Sequence, residues 1–157
     1  MKNKNIIILS IIVIILGVCL GYAYYMNNQE EEHQSYNLGI ITLNTTNTTN
    51  FTCELNETGI LRYVDDSGKI TINIISFDNA TKSQSNTFKQ NLRDYKNQPS
   101  KDVDGIIVYT TTANIGEYVG ETRYEAMIEN HDLNVTIDIC TPDINETVYI
   151  AKNTKFN

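Results

Sequence analysis

From Ile6 to Met26 the chain reads IIILSIIVIILGVCLGYAYYM, with no charged side chain. As a helix rising 1.5 Å per residue, about 20 such residues span a hydrocarbon core of about 30 Å. This segment constrains the rest of the chain most, because it decides the compartment in which everything after it folds. Lys2 and Lys4 precede it and Glu30, Glu31 and Glu32 follow it, so the positive-inside bias keeps residues 1–5 cytoplasmic and exports the remainder. Tyr22, Tyr24 and Tyr25 fall where an interfacial aromatic belt belongs. The rival reading is a cleaved signal peptide, with Gly21 and Ala23 as the small residues that a peptidase accepts. Either way the C-terminal part is extracellular. Cys19 follows Val18 where a lipoprotein acceptor needs a small residue, so it reads as a membrane-buried thiol without a lipid.

Beyond Met26 there are 10 basic residues against 19 acidic, a net of −9. Nucleic-acid binding relies on clustered Lys and Arg, and docking on anionic lipid needs the same, so both are disfavoured as partners. The acidity keeps an exported domain soluble.

Residues 27–50 read as a polar stalk and low-complexity loop. Asn27 to Asn37 lacks periodicity, Leu38 to Leu43 offers a short strand, and NTTNTTN at 44–50 cannot bury a core. Residues 51–157 then form one domain. Phe51–Leu55 and Ile60–Val64 read as strands, and the turn DDSG at 65–68 leads into KITINIISF, with Ile70, Ile72 and Ile74 facing one way. Asp78 is placed to cap a helix from about Asn79 to Lys96, in which Phe88, Leu92 and Tyr95 form one stripe, and Pro99 stops it. Strands follow at Ile106–Thr112, Tyr118–Glu129 and Leu133–Cys140. In the last, Leu133, Val135, Ile137 and Ile139 alternate with Asn134, Thr136 and Asp138, as in a half-buried strand with one polar face. A short helix starts near Asp143 with Glu146 completing a capping box, and Phe156 is expected to pack back on the sheet. The fold class is therefore α+β: an antiparallel sheet of about six strands with helices on its faces, preceded by one N-terminal transmembrane helix.

The order of elements, together with the ending NVTIDICTPDINETVYIAKNTKF, resembles the PsbP-like domains, named for an extrinsic subunit of photosystem II. It also resembles the small membrane-anchored surface proteins of methanogenic archaea with that fold. The polar/apolar last strand, the capped helix at Asp143–Lys152 and the terminal Lys155–Phe156 carry the resemblance, over residues 50–157. It implies an antiparallel sheet between helices and no activity, since one fold hosts many functions.

Candidate chemistry is sparse. Cys53 and Cys140 lie on the exported side and either pair as a disulfide or stay free as two buried thiols. Asn-x-Ser/Thr sequons occur at Asn44, Asn47, Asn50, Asn56, Asn79, Asn134 and Asn145, an excess over chance that Asn- and Thr-rich composition partly explains. His33 belongs to the stalk, and His131 lies beside Asp132 in a turn, where a solvated side chain is the ordinary outcome. Glu30–Glu32 and the Asp65–Asp66 pair lack the spacing of a cation loop, and Ser67 and Gly68 explain the second as a turn, so no metal or cofactor is expected. Tyr109, Tyr118 and Tyr124 read as core or as an aromatic ligand surface. No nucleophile motif is present.

The sequence favours a non-enzymatic, membrane-anchored extracellular domain that binds a protein or cell-envelope component. The alternatives are a structural, glycosylated surface protein and a cryptic hydrolase. A deep pocket gathering two carboxylates, or His131 with a carboxylate, counts against the first and for the last.

Overall fold

Ten strands and two helices follow one another in the computed structural model, which describes Val18 and residues 34–46, 49–113 and 118–157. The expected membrane segment lies outside the described residues except for Val18, as do Glu30–Glu32, His33, Asn47 and the turn at 114–116. Among the described residues no helix is long and apolar enough to cross a membrane. Glu32–Asn157 forms one unit.

The strands are β1 (Gln34–Asn37), β2 (Ile41–Thr45), β3 (Phe51–Glu57), β4 (Ile60–Asp65), β5 (Thr71–Ser76), β6 (Ser100–Val103), β7 (Ile106–Thr112), β8 (Thr122–Asn130), β9 (Val135–Thr141) and β10 (Lys155–Phe156). Helix α1 is Lys82–Tyr95 and α2 is Ile144–Asn153. Seven strands make one antiparallel sheet in the order β3-β4-β5-β9-β8-β7-β6, and β1-β2-β10 make a second, three-stranded one. The domain is thus α+β with antiparallel sheets, but it holds two sheets where about six strands in one were expected. Gln34–Asn37, expected in the stalk, pair with β2, because Tyr36 buries part of its ring against Phe51 at a centroid distance of 5.0 Å.

Strands β5 and β9 lie at the centre, and their alternation sets the core. Ile72 faces Ile139 and Ile74 faces Ile137, while Ala126 and Ile128 of β8 continue the same rows. Ile72, Ile137 and Ile139 are fully buried. Helix α2 covers this face together with β2, whose Ile41 and Leu43 are also fully buried. Asp143 caps α2 as expected, its Oδ1 accepting from the amides of Asn145 (2.7 Å) and Glu146 (3.2 Å). Glu146 does not complete the expected capping box. Its carboxylate instead accepts from the Thr46 amide at 3.2 Å and from the Thr46 hydroxyl, tying α2 to the end of β2. Phe156 returns as expected, but onto β2 of the small sheet.

Helix α1 differs in kind. It is capped by Thr81 rather than Asp78: Thr81 Oγ1 accepts from the Gln84 amide while Gln84 Oε1 accepts from the Thr81 amide, a reciprocal capping box. Asp78 is engaged elsewhere, accepting from Asn134 Nδ2 at 2.6 Å. No residue of α1 is buried, and Phe88, Leu92 and Tyr95 are each half-buried. A stripe of three apolar residues above a polar sheet face has too little apolar partner surface to close down on it. Gly59 (φ +84°) fixes the β3–β4 hairpin beneath the start of this region, since a Cβ there would sit 2.4 Å from the Ala80 amide nitrogen.

Candidate functional site

Side chains alternate across a strand, so the rows that bury Ile72, Ile137 and Ala126 on one face send Asn73, Asp138, Cys140, Glu125 and Arg123 to the other. Strand β9 reads as half-buried with a polar face, yet that face is buried too: Thr136 is 3% and Asp138 6% exposed. Asp138 and Cys140 of this strand help floor a cavity of about 700 Å³, roofed by Asn91, Asp94 and Tyr95 of α1. Arg62 of β4 lies at one end of the floor, across Asn73 from Asp138, and Arg123 of β8 at the other. Glu125 and Asp138 stand between them on adjacent strands, in diagonal register.

The charges are held but not saturated. Asp138 Oδ2 accepts from Asn73 Nδ2 at 3.0 Å, and Glu125 Oε1 from Thr111 Oγ1 at 2.5 Å. The Arg123 guanidinium stacks on the Tyr118 ring at 4.9 Å and places Nη2 3.6 Å from Glu121 Oε2. Arg62 Nε approaches Glu54 Oε2 only to 4.0 Å. Four buried atoms in this chamber are left without a hydrogen bond: Arg62 Nε, Arg123 Nη1, Glu125 Oε2 and Asp138 Oδ1. Only one other buried side-chain polar atom among the described residues, Gln34 Oε1, is in that state. Such atoms are rare in folded proteins because each costs about 1–3 kcal/mol, so four of them on residues lining one cavity single out this chamber among the described residues.

Burial opposes charge on both carboxylates. It pushes Asp138 up to about 7, with the neighbouring Glu125 charge adding and the Asn73 hydrogen bond and Arg62 opposing. Burial raises Glu125 as well, against hydrogen bonding to its carboxylate from Thr111, Tyr95 and Cys140. Because the Glu125 charge adds to the rise at Asp138, the ionisation of one depends on that of the other. Burial, then the Glu125 and Asp138 charges, push the Cys140 thiol up to about 12, so it is no thiolate nucleophile at neutral pH. Tyr95 is raised by burial and by the same two carboxylates.

The residues singled out in the sequence fall mostly elsewhere. Cys53 and Cys140 are both free, Cys53 on the exposed edge strand β3 and Cys140 on β9. With β4 and β5 between them, three strand spacings of about 4.8 Å separate their strands, beyond the reach of a disulfide. Four sequon amides are engaged: Asn44 Nδ2 donates to Asn153 O, Asn50 to Asp66, Asn79 to Ser76 and Asn134 to Asp78. Asn56 and Asn145 are exposed, but Thr147 of the second sequon is fully buried. His131 is solvated, 4.0 Å from Glu129 Oε2 and away from the chamber. The Asp65 carboxylate closes its own turn, accepting from the Ile70 amide at 2.7 Å and from Ser67 Oγ at 2.5 Å. Tyr109 and Tyr124 project to opposite sheet faces, so the three tyrosines make no joint surface.

Sequence reasoning passed over Arg62, Arg123, Glu125 and Asp138. The available signal was charged residues at alternating positions within strands that are otherwise apolar, since such charges are either solvated or paired in a site. No family model matches the chain, and no curated protein matches it.

Proposed function

We propose that this chain is a binding protein anchored in the cell membrane by residues 6–26, whose extracellular α+β domain takes a small hydrophilic ligand between α1 and the polar sheet face. The reading rests on one observation: four buried side-chain atoms without a hydrogen bond, Arg62 Nε, Arg123 Nη1, Glu125 Oε2 and Asp138 Oδ1, belong to residues that line one cavity. The cavity's size suits a small molecule. The exported location comes from the uncharged segment and the charges flanking it, and the PsbP-like resemblance remains a proposal about fold ancestry. Among the sequons, Asn56 is the one we assign to a glycan, because Asn56, Glu57 and Thr58 are all exposed. A purely structural glycosylated coat component has no use for such a chamber.

The carboxylate pair favours a second reading, acid–base hydrolysis of the bound molecule. Two carboxyls in one cavity, both pushed up by burial, are the kind of groups that supply an acid and a base within one site. The test is to incubate the full-length chain in detergent micelles with a panel of small sugars, amino acids, dipeptides and their esters, following binding by calorimetry and products by mass spectrometry. Saturable binding without product is expected. Product formation that Asp138→Asn abolishes would replace binding by hydrolysis, and no binding to any member would remove the chamber as a ligand site.

A further inference from the structure

We infer that the chamber's ligand is a small zwitterion, an α-amino acid or a close analogue, with its ammonium over Glu125 and Asp138 and its carboxylate against Arg123. This rests on the chamber being a ligand site, as proposed above, and narrows the class of ligand.

The argument is one of matching charge and hydrogen-bonding capacity. An ionised carboxylate only accepts and a guanidinium only donates, so the unpartnered atoms of Glu125, Asp138 and Arg123 call for a ligand that offers N–H donors in one place and oxygen acceptors in another. Glu125 and Arg123 are two residues apart on β8, which sets their Cα atoms about 7 Å from one another on the same face. An α-amino acid carries its two charged groups at a separation that bridges such neighbours. Side chains at Arg123 (5% exposed), Glu125 (6%) and Asp138 (6%) are buried deeply enough that water screens them little.

Each simpler ligand leaves a buried charge uncompensated. A simple anion would meet Arg123 and face two carboxylates; a simple cation would meet the carboxylates and leave Arg123 Nη1 open. A neutral sugar could hydrogen-bond these atoms but would bring no positive charge to the carboxylates, whose ionised forms burial disfavours. Arg62 acts on Asp138 only from two strands away and is shared with Glu54, whose Oε2 lies 4.0 Å from its Nε. Arg123 is held in place by Tyr118 and Glu121 with Nη1 left over, a preorganised donor for one carboxylate oxygen.

The test is calorimetry on the full-length chain in detergent micelles, with the standard L-amino acids, then the amide and the α-hydroxy acid of the tightest binder, and glucose and glycerol as neutral controls. At least one amino acid should bind saturably. Its amide, which lacks the carboxylate, and its hydroxy acid, which lacks the ammonium, should each bind weaker by about 30-fold or more. Equal affinity for the amide or the hydroxy acid overturns the inference. Binding of glucose or glycerol with none of any amino acid overturns it too but leaves the chamber a ligand site, whereas binding of nothing removes both. Arg123→Gln and Glu125→Gln, each checked for an intact thermal transition, should abolish discrimination against the amide and the hydroxy acid respectively. The analogue comparison on the unaltered chain stands even if a variant fails to fold.

Discussion

Asp138 and Glu125 project from neighbouring central strands into the same cavity, and burial makes the charged form of each unfavourable. Around Asp138 stand Asn73 and Arg62 from β5 and β4, Glu125 and Arg123 from β8, Cys140 from its own strand, and Asp94 and Tyr95 from α1. For Asp138 the folded value is raised from an ordinary value of about 4 to about 7, so the protonated group stabilises the fold below about pH 4, and that stability is lost as pH rises through about 7. Asp138→Asn removes this dependence and keeps a partner for Asn73. Urea unfolding at pH 5 and pH 8 should show the variant gaining about 1–3 kcal/mol over the native protein at pH 8 and much less at pH 5. A gain at pH 5 as large as that at pH 8 would count against a buried, proton-holding carboxylate. The cysteines give a second prediction. Iodoacetamide should label exposed Cys53 in the native protein and Cys140 only on unfolding, and both should react in denaturant without reductant. A crosslinked Cys53–Cys140 peptide would contradict the strand order. Both cysteines were legible in the sequence as strand residues, but their separation was not, because local periodicity carries no information on which strands become neighbours.

The two helices show how differently the elements are held. Helix α2 buries Val148, Ile150 and Ala151 against the core and adds the Glu146–Thr46 tie, whereas α1 rests on its cap and a few half-buried side chains. Glu146→Ala should therefore cost about 1–3 kcal/mol by urea unfolding, and a double-mutant cycle with Thr46→Ala should give a non-zero coupling. Thr81→Ala should cost about 1 kcal/mol or less globally, yet raise amide exchange throughout α1. Asp78→Ala should leave α1 exchange unchanged, since Asp78 does not cap it. The alternation of Val135, Ile137 and Ile139 and the Asp143 cap were legible because each is a local rule. The β6 strand SKDV was not, having no apolar alternation, and neither was the chamber. An alternating strand reads the same whether its polar side meets open water or a helix standing off it.

At the scale of the molecule, the fold begins earlier than the apolar pattern suggests. β1 and β2, with Leu38 between them and Ile41 and Leu43 on β2, add to the core, and β2 itself takes in Asn44 and Thr45 of the low-complexity run, so the domain begins before that run and not after it. Protease shaving of intact cells should accordingly release fragments that start before Gln34, not near Phe51, while Ile6–Met26 stays with the membrane. Protection of the whole chain would place the domain in the cytoplasm. The central claim is that the space between α1 and the polar face of the large sheet is built for a ligand. A crystal structure of the full-length chain, at a resolution that shows ordered solvent and grown with the tightest-binding amino acid, tests it most directly. The account predicts that molecule in the chamber, hydrogen-bonded to Arg123 Nη1 and Glu125 Oε2. A helix α1 seated on the floor, with those atoms satisfied by protein groups and no cavity between, would contradict it.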